Sequence, residues 1–129
     1  MTCQDIYKIA LSFLGEDISG NFSSDYGQRA PYLIAALYPI LREDDNILRR
    51  SRGLPIQENE YAEKAELYED FKLCDDFATA AAYYVASLLI FESDTARADR
   101  LFEKYNDLAK KVMTNIPFES GKTVDKYPG

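Results

Sequence analysis

The sequence predicts an all-α fold: a small bundle of four to five helices with a central apolar helix and a non-helical C-terminal arm. Phe77, Ala81, Tyr84, Leu88 and Phe91 recur at spacings of four and three, which places them on one helical face. Ala78, Ala82, Val85 and Leu89 add a second apolar row, and a helix apolar on two sides is buried between neighbours. The next stretch, residues 93–113, carries one stripe of Ala98, Leu101, Tyr105, Leu108 and Val112, with charges on its other faces. The acidic turn between the two is short enough to force them antiparallel.

The remaining elements follow in order. A first helix is expected over residues 2–14, with Thr2 as N-cap and Asp5 in the first turn, where the helix dipole favours an anion. Ile6, Ile9, Ala10, Phe13 and Leu14 form its apolar face, and Gly15 stops it. Residues 16–24 read as a polar loop. A second helix is expected from near Asp25, where Asp25 and Gln28 have capping-box spacing. Its stripe runs through Ala30, Leu33, Ile34, Leu37 and Leu41 towards Leu48. Pro31 is tolerable in a first turn, but Pro39 removes a donor and its ring clashes with the preceding turn. A kink over residues 35–39, or a break into two helices, is therefore expected. Gly53 and Pro55 end the element. Residues 54–73 have no clean period, and two readings stand: an amphipathic helix over 58–71, favoured by Glu, Lys and Ala propensities, or an extended excursion. The helical domain is placed at residues 1–114. The arm takes residues 115–129, where Pro117, Gly121 and Pro128 exclude helix and Ile116, Phe118, Val124 and Tyr127 are the candidate interaction residues.

Composition sets outer bounds. The 129 residues make one domain able to bury a core, and 47% hydrophobic content with 10 Tyr and 7 Phe excludes global disorder. No apolar run is long enough to span a bilayer, and the N-terminus lacks a basic region followed by an apolar one, so no membrane role is expected. The net charge of −7 opposes approach to a polyanion, which argues against sequence-specific nucleic-acid binding. The basic cluster Arg49, Arg50 and Arg52 follows Glu43, Asp44 and Asp45 and reads as a solvated helix end rather than a phosphate track. Cys3 and Cys74 have no metal-ligand spacing and are expected to be free thiols in a cytoplasm.

No catalytic constellation stands out. Without histidine there is no Ser–His or Cys–His pair, and the glycines are scattered at turns rather than gathered in a phosphate loop. Glu60, Glu63, Glu66 and Glu69, followed by Asp70, would share part of a helical face and could hold Mg²⁺ there. All-α nucleotide pyrophosphohydrolases use such clusters, but they need a second acidic pair; Glu103 and Asp107 have the spacing. A solvated charged face explains all of these carboxylates equally well. No cofactor, metal site or catalytic residue is assigned. Tyr83 and Tyr84 lie within the apolar helix, where aromatic bulk belongs to the core.

The segment DDFATAAAYYVASLLIFESDTARADRLFEKYNDLAKKV resembles the last helices of head–tail connector (adaptor) proteins of tailed bacteriophages and prophages. The matching positions are Ala82, Tyr83, Ala86 and Leu89 on the first helix and Asp94, Ala98, Phe102 and Tyr105 on the second. RAPYLIAALYPILRE, before them, is compatible with the same build. The resemblance implies a non-enzymatic structural protein of the virion, present in the host cytoplasm before assembly. It implies self-association into a ring beneath the portal protein that continues the DNA channel and offers a surface to tail or head-completion proteins. Another small helical interaction protein of phage or bacterial origin is the alternative, with the Mg²⁺-dependent hydrolase behind it.

Overall fold

The computed structural model describes residues 1–15, 23–58 and 62–116. Four α-helices follow one another: α1 (Cys3–Phe13), α2 (Ser23–Ser51), α3 (Ala78–Leu89), which a single 3₁₀ turn at Asp75–Phe77 leads into, and α4 (Thr95–Thr114). The described residues contain no β-strand, only an isolated antiparallel bridge between Thr2 and Asp70. The all-α bundle expected from the periodicity is the fold observed.

α3 is the central element and packs against α1, α2 and α4. Ala80, Ala81, Ala82, Val85 and Ala86 are at most 1% exposed, so small side chains let the neighbouring helices approach. Of the two expected rows, Phe77, Ala81 and Tyr84 are buried and Leu88 is half-buried, while Phe91 is 50% exposed. The exposure of Phe91 corrects the sequence reading, and its cause is local. The helix stops at Leu89, so the spacing that aligned Phe91 with the core face no longer applies. Residues 90–94 turn the chain, and the Asp94 carboxylate caps α4 by accepting from the Arg97 amide at 3.1 Å. α3 and α4 run antiparallel: Tyr84 meets Phe102 and Tyr105, while Ala80, earlier in α3, faces Leu108 and Val112, later in α4.

α1 begins with the expected Thr2 cap, and in full reciprocal form. The Thr2 hydroxyl accepts from the Asp5 amide at 3.2 Å, and the Asp5 carboxylate accepts from the Thr2 amide at 2.9 Å. The same hydrogen bonds hold the Asp5 carboxyl below its ordinary pKa. Gly15 follows the helix with φ of 74°, a conformation L side chains rarely adopt. Ile6 and Ala10 are buried as expected, joined by Cys3, Tyr7 and Leu11. Phe13 sits at the edge of the core, stacked on Tyr83 with ring centroids 4.0 Å apart.

α2 is one element of 29 residues, so of the two expectations at Pro39, a kink or a break into two helices, the break does not occur. Pro31 lies in the third turn rather than the first, because the helix starts at Ser23. An interior proline costs a helix about 3 kcal/mol. Burying one Leu or Ile side chain returns about 1.5–3 kcal/mol. α2 buries Ile34, Leu37, Leu41 and Leu48 together with Tyr38, so its packing outweighs both prolines. Its C-terminus closes as sequence predicts. The Leu54 amide donates to the Arg49 carbonyl at 2.8 Å and the Gly53 amide to the Arg50 carbonyl at 3.2 Å, with Gly53 at φ of 70°. That is a Schellman closure, which places a left-handed glycine just past the helix.

Of the two readings of residues 54–73, the extended excursion is observed over the described part. This strap spends its backbone groups on other elements. The Glu69 and Leu67 carbonyls accept from the Cys3 and Gln4 amides, which have no partner inside α1, and the Ala65 amide donates to the Pro31 carbonyl. A helix over 58–71 would turn these groups inward and leave the start of α1 unsatisfied. Two arginines bolt the bundle in the same manner. Arg29 donates to the Leu88 and Leu89 carbonyls at 2.9 and 3.1 Å, and Arg97 to the Phe13 carbonyl at 2.9 Å. Each thereby places a cation where a helix C-terminus is electronegative.

Candidate interaction surfaces

The side chains that chemistry would need are engaged in holding the fold. Asp45 is fully buried, and its carboxylate accepts from Arg49 Nε and from the Cys74 amide, each at 2.8 Å. Arg49 reaches on to the Lys72 carbonyl at 3.0 Å, so one ion pair on α2 fastens the far end of the strap. Next to it, Asn46 and Gln57 exchange two hydrogen bonds, of 2.7 and 3.3 Å. Arg52 holds Asp76 through two contacts, of 2.7 and 2.8 Å, and so links the end of α2 to the turn before α3. Arg49 is thus half-buried and structural, which corrects its reading as part of a solvated helix end; Arg50 and Arg52 stay exposed, Arg52 in its pair with Asp76. The signal for the buried pair was present as Asp45 and Arg49 at i and i+4. The flanking Glu43 and Asp44 hid it.

Cys3 and Cys74 are free thiols. Burial raises the Cys3 thiol pKa, and its sulfur lies 3.5 Å from the Tyr38 hydroxyl, which donates or accepts there. Burial is also the first cause that pushes Cys74 up, to about 11, followed by its hydrogen bond to Asp45. Because the thiolate is the nucleophile, and a more basic thiolate offsets part of its scarcity, native Cys74 should react with a disulfide reagent at pH 8 roughly tenfold more slowly than a thiol at the ordinary value of 9.0. Ellman kinetics on folded and urea-unfolded protein measure this directly.

The carboxylates proposed for Mg²⁺ lose the helix that would gather them. Glu63, Glu66, Glu69 and Asp70 lie on the strap, and Glu60 lies outside the described residues. Glu66 pairs instead with Lys64 at 3.4 Å. The described residues contain no group of three or more His, Cys, Asp or Glu positioned to hold a metal ion.

An open groove remains at the end of the bundle where α4 finishes. Leu48 from α2, Thr79 and Ala80 from α3, and Leu108, Val112 and Ile116 from the end of the described chain line about 370 Å³. The Arg52–Asp76 pair and Lys111 complete its wall. Ile116 is half-buried and packs against the core. It is thus the one candidate arm residue that the structure places; Phe118, Val124 and Tyr127 lie outside the described residues. Sequence reasoning could not find the groove, because its lining comes from three helices and no single segment shows it.

Comparison with protein-family models, with curated proteins and with solved structures returns no match. No helix among the described residues is long and apolar enough to cross a membrane.

Proposed function

We propose that this chain is a structural subunit of a tailed-phage virion: a head–tail connector that assembles as a ring beneath the portal and continues the DNA channel. The observation that carries the reading is the apolar groove at the end of α4. The last helix closes at Thr114, Ile116 lines the groove beside it, and Phe118, Val124 and Tyr127 follow in the sequence. A segment apolar at those positions and interrupted by Pro117, Gly121 and Pro128 suits an arm that adds a strand or fills a groove on a neighbouring subunit or on the portal. The resemblance of the α3–α4 segment to connector helices points the same way, and a net charge of −7 suits a conduit that does not grip passing phosphate.

The deciding experiment is electron microscopy of the protein mixed with the portal from the same genome. The connector reading expects a ring of added density below the portal. It also expects that deletion of residues 117–129 leaves the melting temperature unchanged while abolishing that density. A truncation that lowers the melting temperature by 10 °C or so, roughly 2–3 kcal/mol for a domain of this size, would make the tail part of the subunit's own core. Absence from purified virions would favour a different helical interaction protein of phage or bacterial origin.

A further inference from the structure

α2 carries an exposed apolar row on its outer face, away from the core stripe. Tyr32, Ile40 and Ile47 are 48%, 56% and 42% exposed, and Leu54, just beyond the Schellman closure, is 44% exposed. Ile40 and Ile47 are spaced by seven within the helix, the interval of a helix-pairing seam. Exposure alone names no occupant, but the charges beside the row do. Glu43 and Arg50 are both exposed, and neither makes an ion pair among the described residues. At about 100° per residue both fall on the same flank of the seam, roughly 40° and 60° from Ile47. They stand on opposite sides of Ile47 along the axis, about 6 and 4.5 Å away.

That arrangement is self-complementary in one orientation only. When two copies of a helix pair antiparallel about a two-fold axis, like flanks meet, and a residue before the axis faces one the same distance after it. With the axis at Ile47, Ile47 meets its own copy and Glu43 meets Arg50, twice by symmetry. A parallel pairing sets opposite flanks together and leaves both charges without partners. Next to the seam an open depression of about 620 Å³, lined by Ile47, Ile56 and Asn46 among others, gives room for a facing side chain.

We propose that the outer face of α2 is a two-fold contact surface for a second copy of this chain, centred on Ile47 and registered by reciprocal Glu43–Arg50 pairs. This contact does not depend on the connector reading. It is isologous and closes at two copies, whereas a ring needs a head-to-tail surface elsewhere. The contact is a small one, and dissociation in the micromolar range is expected of it.

Charge reversal on the full chain tests it, with sedimentation equilibrium as the readout. The parent should dimerise. Glu43→Arg and Arg50→Glu each place two like-charge pairs across the axis and should weaken self-association by roughly tenfold or more. Melting should stay at the parent temperature, since both side chains are exposed and make no ion pair among the described residues. An equimolar mixture of the two variants should associate again, because the unlike copies restore both pairs; a contact in which positions 43 and 50 do not meet would not regain affinity on mixing. A parent that stays monomeric to about 1 mM, the weak limit of specific association, overturns the proposal. So does a mixture that stays monomeric, or any assembly whose size and affinity neither reversal changes. None of these outcomes bears on portal binding, which the electron microscopy above reads separately.

Discussion

Replacing Ala82 with Asp should leave the protein unfolded at 25 °C. Ala82 is 0% exposed in α3, the helix that touches the other three. A carboxylate there would lose its hydration with no cation or donor brought to meet it, at a cost of several kcal/mol. Its extra atoms would also press into a helix contact already closed by alanines, adding about 1–3 kcal/mol. Together these approach the roughly 5–15 kcal/mol that holds a domain folded. Far-UV circular dichroism and urea titration measure the loss. Thr79→Asp is the matched control, since Thr79 lies on the exposed side of the same helix, and it should change stability by no more than about 0.5 kcal/mol. Leu88→Asp falls between them, because Leu88 is half-buried. An Ala82→Asp variant that melts with the parent would remove α3 from the centre of the fold.

The difference between those positions marks how far periodicity reads. The all-α class, the double-sided burial of α3, the stripe of α4, the Thr2 cap and the Gly53 closure are all local in sequence. Each follows from spacing or from one residue's backbone preference. What the sequence did not reveal is set by partners far along the chain. Helix propensity favoured residues 58–71 as helix, yet the strap's carbonyls are needed by the first turn of α1, more than sixty residues earlier. Pro39 argued for a kinked or broken α2, and the buried stripe from Ile34 to Leu48 keeps it one helix. Phe91 fitted the core period but lies past the end of its helix. The candidate surfaces divide in the same way. The exposed row of α2 is a sequence pattern in one helix, whereas the groove at Ile116 draws on α2, α3 and α4 and exists only once they are packed.

Asp45→Ala should be among the most damaging changes that remove a side chain rather than add one. Asp45 is the sole carboxylate among the described residues that is fully buried, and it satisfies two donors on different elements. Its loss leaves the Cys74 amide without an acceptor. It also leaves Arg49, 17% exposed at the side chain, with only carbonyl contacts for a charge that was neutralised. Removing one partner of a buried pair costs about 3–5 kcal/mol. For a domain of this size that lowers the melting temperature by roughly 10–20 °C. Arg49→Ala should cost at least as much, since it strands the more deeply buried charge. The double variant should cost less than the sum of the two, and a double-mutant cycle reports that difference as the coupling energy. A second readout isolates the strap from general damage. Burial raises the Cys74 thiol first, but its hydrogen bond to Asp45 and that residue's charge raise it further. Below its melting temperature, Asp45→Ala should therefore react faster at Cys74 than the parent does, while the fully buried Cys3 stays protected. Equal exposure of both thiols would mean that the whole bundle had opened. A loss of stability below about 1 kcal/mol, the ceiling for a surface ion pair, would show that the Asp45–Arg49 contact does not fasten the strap.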